Sequence, residues 1–183
     1  MIIQNVDKLT GLYTQQYFET RLEEELARTN RYKRPLSLLL FEINYDYFKP
    51  NHNVRWAMVY TILKQFGALL LRSIRNVDIA GRYGGEMFAV ILPETPADGG
   101  RIVAERIRKA VEEYSFLGDN LKKDIKIAVN GGYASFPIYG KTAGELISSA
   151  QQGLIIARNE GGNKVMPCPK KLYNEDGKAL VSE

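Results

Sequence analysis

Two glutamates in this sequence stand where strand ends fall, and one follows a glycine pair directly. Glu42 closes the apolar run LSLLLFEI, and Glu86 comes straight after Gly84-Gly85. Carboxylates at adjacent strand ends repel unless they share a cation or a proton. A hard divalent ion such as Mg²⁺ takes carboxylate and carbonyl oxygens and commonly bridges to ligand phosphates. Glycines at the turn let a phosphate-bearing ligand come close to the backbone. The plainer alternative is an ordinary hairpin turn carrying two exposed glutamates.

The elements that would position these residues follow from periodicity and punctuation. Phe18, Leu22 and Leu26 recur every four residues and predict a first helix, which Pro35 stops. Residues 36–43 form a continuous apolar run, short enough for a strand buried on both faces. A second helix is predicted over 54–74, with Met58, Ile62, Phe66, Leu69 and Leu70 on its apolar side. Residues 78–83 and 86–92 read as a hairpin around the glycine pair. Thr95-Pro96 opens a third helix. The alternation of Ile125, Ile127 and Val129 predicts a strand, and Thr142 with Glu145 makes a capping box for a last helix ending near Asn159. Residues 163–166 form a short final strand. The order contains β-α-β-β-α-β, so the expected class is α+β, a ferredoxin-like sheet flanked by helices with an extra N-terminal helix. In that arrangement the first strand lies beside the second strand of the hairpin, which brings Glu42 to the Gly84-Gly85 turn.

Composition narrows the setting. The chain has 183 residues, 45% hydrophobic and 25% charged, enough for one domain with a core. One cysteine, Cys168, excludes a disulfide scaffold, and one histidine, His52, excludes a histidine-rich metal centre. A net charge of +4 permits a phosphate-bearing ligand but is no DNA-binding footprint. No apolar run reaches the roughly 20 residues of a membrane span, and no signal peptide is evident at the start. A cytoplasmic setting is the expectation.

The motifs together resemble those of GGDEF domains, the bacterial diguanylate cyclase family. RYGGEMF at 82–88 resembles the signature itself. The segment from Asp7 to Leu12 resembles the D-x-L-T-G-L entry, and PLSLLLFEIN resembles the strand that ends in D-I-D. Phe48-Lys49 resembles the F-K that follows. Arg75 and Asp78, with five residues between Asp78 and Gly84, match the R-x-x-D product-inhibition motif. The stretch from Ala157 to Asn163 resembles A-K-x-x-G-R-N. The resemblance implies a palm-type fold and condensation of two GTP molecules into cyclic di-GMP across a two-fold axis, with Mg²⁺ at the triphosphates. It implies metal ligation by Glu42, the Ile43 carbonyl and Glu86, with Glu86 also the proposed base. It implies substrate contacts at Lys49, Asn51, Gly84, Gly85 and Arg158, and cyclic di-GMP binding at Arg75 and Asp78. The family's inhibitory site also uses a second arginine, which the sequence does not identify.

Departures from the pattern are concentrated in the pocket. Met87 replaces a signature carboxylate, and a thioether is a poor Mg²⁺ ligand. Glu42 is one methylene longer than the usual aspartate. Tyr60 stands where a guanine-reading aspartate belongs, and Arg55-Trp56 replaces Gly-His. Gly162 replaces the arginine of G-R-N, Arg158 replaces the lysine before it, and the 44–60 segment is out of register. The reading is one GGDEF-like domain over 1–166 with a tail over 167–183. It is a degenerate signalling domain, catalytically weak or inactive, that binds cyclic di-GMP through R-x-x-D. The alternative is an active diguanylate cyclase. The implied partners are GTP or cyclic di-GMP, a second copy of the domain, and a sensory or effector domain in the full-length protein.

Overall fold

The computed structural model describes residues 5–44, 56–117 and 124–169. Among the described residues, eight strands and four helices follow in the order β1 (Tyr13–Thr14), α1 (Gln15–Tyr32), β2 (Leu36–Asn44), α2 (Trp56–Ser73), β3 (Ile79–Arg82), β4 (Met87–Pro93), α3 (Ala97–Glu113), β5 (Phe116–Leu117), β6 (Asp124–Ile125), β7 (Ala128–Phe136), α4 (Ala143–Asn159) and β8 (Val165–Pro167). Six strands form one sheet in the order β1-β3-β4-β2-β7-β8. Its inner four, β3-β4-β2-β7, are mutually antiparallel and have the ferredoxin-like order. The short edge strands β1 and β8 pair in parallel with β3 and β7.

The apolar run of β2 is explained by what covers it. Leu36, Leu38 and Leu40 face Phe18, Leu22 and Leu26 of α1 and Leu146, Ala150 and Leu154 of α4. Leu39, Phe41 and Ile43 face the other way, into a cluster with Ile62 and Phe66 of α2 and Ile107 and Val111 of α3. A strand buried on both sides needs no polar alternation. The one charged residue of the run, Glu42, is only partly buried.

Helix ends follow local chemistry. Helix α1 stops at a left-handed Lys33 (φ 54°) whose N–H donates to the Thr29 carbonyl, two residues before Pro35. Helix α4 carries the full capping box: Thr142 accepts from the Glu145 N–H, and the Glu145 carboxylate accepts from the backbone N–H of Thr142.

One predicted strand needs correction. The alternation over 125–129 straddles two elements: Ile125 belongs to a two-stranded ribbon with β5, and Val129 is the second residue of the long strand β7. Strand β7 contains Asn130, Gly131, Gly132 and Ser135, which carry weak strand propensity. Packing explains the small residues. A Cβ on Gly132 would lie 1.9 Å from the Ala150 carbonyl oxygen of α4, and one on Gly131 would lie 2.9 Å from the Val165 side chain. Helix α4 lies so close that only glycine fits beneath it.

Candidate functional site

Strand register assembles the site. Glu42 is directly opposite Met87 on β4 and Asn130 on β7. The β3–β4 turn closes with the Met87 N–H donating to the Gly84 carbonyl (2.8 Å) and the Tyr83 N–H to the Met87 carbonyl (2.8 Å). Gly84 and Gly85 have φ of 97° and 48°, the left-handed region that glycine enters without strain. The Glu86 carbonyl accepts from the Ile43 N–H at 3.4 Å, so the two glutamates are neighbours along adjoining backbones. Glu86 is half-buried.

The turn is anchored from the N-terminal side. Arg82 donates to the Gly85 carbonyl from Nε (3.1 Å) and Nη2 (2.9 Å) and pairs with Asp7 through Nη1 (3.3 Å). Asp7 also accepts from the Thr10 N–H and hydroxyl. Burial pushes the Asp7 carboxyl up, but these donors and Arg82 outweigh it and hold its pKa below the ordinary value. Tyr83 donates to Glu19 of α1 at 2.7 Å, and burial together with that carboxylate pushes the phenol pKa up.

Helix α4 supplies the cation. Leu146, Ala150 and Leu154 are buried at four-residue spacing, and Arg158 continues that row past the covered end of the sheet. Its guanidinium grips Glu42, with Nη2 at 2.6 Å from Oε1 and 2.5 Å from Oε2, and Nε at 3.2 Å from Oε2. Beyond α4, Gly162 (φ 73°) lies against β2 and β7: a Cβ there would meet Asn44 Nδ2 at 2.7 Å and Asn130 Oδ1 at 3.0 Å. Asn130 is buried and accepts from the Asn163 N–H. Asn163 is tied to Glu112 and Arg108 of α3. These polar contacts between distant segments carried no sequence signal. Only the likeness to A-K-x-x-G-R-N marked the loop as special.

The residues as folded do not fit a divalent metal. Mg²⁺ needs an oxygen-rich octahedron, yet both oxygens of Glu42 are bound by Arg158 and the residue opposite is a methionine. Among the described residues no three His, Cys, Asp or Glu side chains group as a metal site. Tyr60 is exposed on α2. Lys49, Asn51 and most of the 44–60 segment lie outside the described residues.

The R-x-x-D pair closes the α2–β3 turn. The Asp78 carboxylate accepts from the Arg75 backbone N–H (2.8 Å), Nε (3.2 Å) and Nη2 (2.8 Å). Arg75 Nη2 also donates to Thr95 Oγ1 at 2.9 Å. The hydrogen bonds that Arg75 donates to the Asp78 carboxylate hold the Arg75 pKa above its ordinary value. The Asp78 side chain is 1% exposed and that of Arg75 is 53% exposed, so only the arginine offers a surface to solvent. Arg106 of α3 donates to the carbonyl of Ser73 (2.8 Å) at the end of α2, two residues before Arg75.

Comparison with known proteins gives concordant results. The family model described as diguanylate cyclase, GGDEF domain, matches residues 4–164. Diguanylate cyclase A of Treponema denticola is 35% identical over 163 residues, covering 87% of this chain and 43% of that protein. Response regulator PleD of Caulobacter vibrioides is 30% identical over 161 residues, covering 87% of this chain and 35% of that protein. The chain thus spans less than half the length of these relatives. Two solved structures share its fold at 22% identity. The GGDEF domain of TpbB (YfiN) from Pseudomonas aeruginosa has a TM-score of 0.83 and covers 91% of this chain and 95% of that one. The GGDEF domain of DgcB from Caulobacter crescentus, in complex with cyclic di-GMP, has a TM-score of 0.81 and covers 91% and 96%. No helix among the described residues is long and apolar enough to cross a membrane. With the signature turn, the entry turn bound to it and the ferredoxin-like sheet all in place, the chain belongs to the GGDEF-domain family of diguanylate cyclases.

Proposed function

We propose that this chain is a degenerate GGDEF signalling domain that makes little or no cyclic di-GMP and binds that dinucleotide at Arg75. The observation that carries the reading is the Glu42 environment: its carboxylate is closed by Arg158 and faces Met87 across the sheet. Cyclisation in this family rests on Mg²⁺ at the triphosphate, and Glu42, Ile43 and Glu86 are the positions that would hold it. A Glu42 clamped by a guanidinium supports weak metal binding, and an uncharged Met87 adds no ligand. Lys49, Asn51, Gly84, Gly85 and Arg158 are the corresponding nucleotide contacts, with Arg158 diverted to Glu42 in this fold.

For the dinucleotide, Arg75 offers the accessible group. A guanidinium fork suits a guanine edge or a phosphate. Asp78 holds that fork in place, and Arg106 fits the role of the second arginine. The DgcB structure is described as a complex with cyclic di-GMP, which makes that ligand the first to test. Partners follow from the same reading: a second copy of the domain, and a sensory or effector domain in a longer protein.

An active cyclase is the second reading, and one observation favours it. Glu86 stands where the Vibrio cholerae protein described as an active GGEEF domain also has glutamate. Incubating the chain with GTP and Mg²⁺ and chromatographing for cyclic di-GMP separates the two. We expect no product above background, and turnover matching an intact family member in the same assay overturns the proposal. Calorimetry with cyclic di-GMP tests the binding half. Heat that vanishes in folded Arg75→Ala supports it, and no heat at tens of micromolar ligand removes it.

A further inference from the structure

We propose that Arg158 is the resident cation of the Glu42 site and competes with divalent metal for that carboxylate. The inference rests on the assignment of Glu42 to the family's metal position and not on the absence of turnover.

The argument starts from charge. Glu42 is the last residue but two of β2, its side chain is 23% exposed, and its cross-strand neighbours Met87 and Asn130 are uncharged. A half-desolvated carboxylate there needs a counter-charge. Arg158 supplies it through three N–H···O contacts of 2.5–3.2 Å that occupy both oxygens. The planar fork of arginine matches a carboxylate in a way a lysine ammonium cannot. Helix α4 also presents Arg158 in its last turn, where the helix dipole favours a cation.

Two departures from the family pattern complement each other here. The lysine position is an arginine, and the aspartate position is a glutamate that reaches one methylene further toward it. Two more departures fall in the same region. Met87 removes a carboxylate that would attract metal, and Gly162 removes an arginine that would otherwise share the anionic load. The Arg158 pair cancels the Glu42 charge within the fold, and Glu86 stays beside it as the second carboxylate of the metal position. A divalent ion entering this site has to displace the guanidinium from both Glu42 oxygens, so its apparent affinity falls by the strength of the pair.

The test uses Mn²⁺ as the metal probe and the full chain, with free Mn²⁺ read by electron paramagnetic resonance. Wild type is expected to leave Mn²⁺ free into the millimolar range. Arg158→Ala and the longer, neutral Arg158→Gln are expected to bind it about tenfold more tightly or better, a step of about 1.4 kcal/mol. Adding Glu42→Gln to either variant is expected to abolish the gain. Arg158 is 54% exposed, so both variants are expected to fold, and circular dichroism checks this. Equal Mn²⁺ affinity in wild type and both Arg158 variants overturns the proposal, as does a gain that survives Glu42→Gln. The measurement involves no turnover. Cyclic di-GMP made by a wild type that excludes Mn²⁺ would refute the proposed function and leave this inference standing. Tight Mn²⁺ binding by a wild type that makes no product would do the reverse.

Discussion

Replacing Arg75 with alanine separates the structural duty of the R-x-x-D pair from its ligand duty. Asp78 is the buried partner, and it accepts three N–H groups from Arg75, one from the backbone and two from the guanidinium. Alanine keeps the backbone donor and removes the other two, leaving a buried carboxylate with a single hydrogen bond from residue 75. Removing one member of a fully buried pair costs roughly 3–5 kcal/mol, whereas an exposed pair is worth roughly 0–1 kcal/mol. With one partner buried and the other half in water, the expected loss is about 2 kcal/mol. At about 2–4 °C per kcal/mol for a domain of this size, the melting midpoint should drop by about 4–8 °C. Urea denaturation and thermal melting followed by circular dichroism read both quantities. An Arg75→Ala protein that melts within about 1 °C of wild type would refute the claim that Asp78 depends on this guanidinium. Binding experiments on the variant must therefore be run well below its midpoint, where lost affinity reports on the ligand contact alone.

Gly132→Ala should destabilise by about 3 kcal/mol or more, because the new methyl meets the α4 backbone at 1.9 Å; soluble yield and urea midpoint measure it. Asp7→Asn should lose stability at neutral pH. Because the folded Asp7 pKa lies below its ordinary value of 3.8, its contribution is present above that pH and disappears as pH falls through the folded value, so the variant and wild-type urea midpoints should converge as the pH is lowered through the folded pKa. Gly162→Arg, which restores the family residue, should fail to restore nucleotide binding in a fluorescent-GTP titration. It should also cost roughly 1–2 kcal/mol, since φ is 73° and its Cβ would crowd Asn44 and Asn130.

Local chemistry was legible where the sequence concentrated it. The Thr142–Glu145 capping box, the glycine turn and the doubly buried run of β2 each combine a strong short-range signal with a single structural solution. Strand β7 extends beyond the 125–129 alternation because Gly132 answers to helix α4 and Gly131 to Val165 of β8 and Phe41 of β2, all from separate parts of the chain. Propensity scores a residue against its neighbours in sequence, and Gly132 is selected by a neighbour in space. The hairpin anchors are of the same kind. Arg82 meets Asp7 across 75 residues, and neither residue's local pattern specifies the other.

The candidate site shows the same division at the level of chemistry. Each departure from the family pattern was visible in isolation, and each alone reads as a lost contact. Register on the sheet and the row of α4 that ends at Arg158 change that reading, because they bring residue 42 and residue 158 into contact across 116 residues. A carboxylate at 42 or a guanidinium at 158 without its partner would be a charge that folding penalises. Where the two meet, their charges cancel. The pocket is thereby a folded polar site in which Glu42 is already paired, and the sequence alone showed only a catalytic site with pieces missing. That distinction decides what restoration requires. Returning Met87 to a carboxylate while Arg158 still holds Glu42 should recover little metal binding, because the limiting step is release of the guanidinium. Only variants that free Glu42 first give an added carboxylate a partner with which to share a cation.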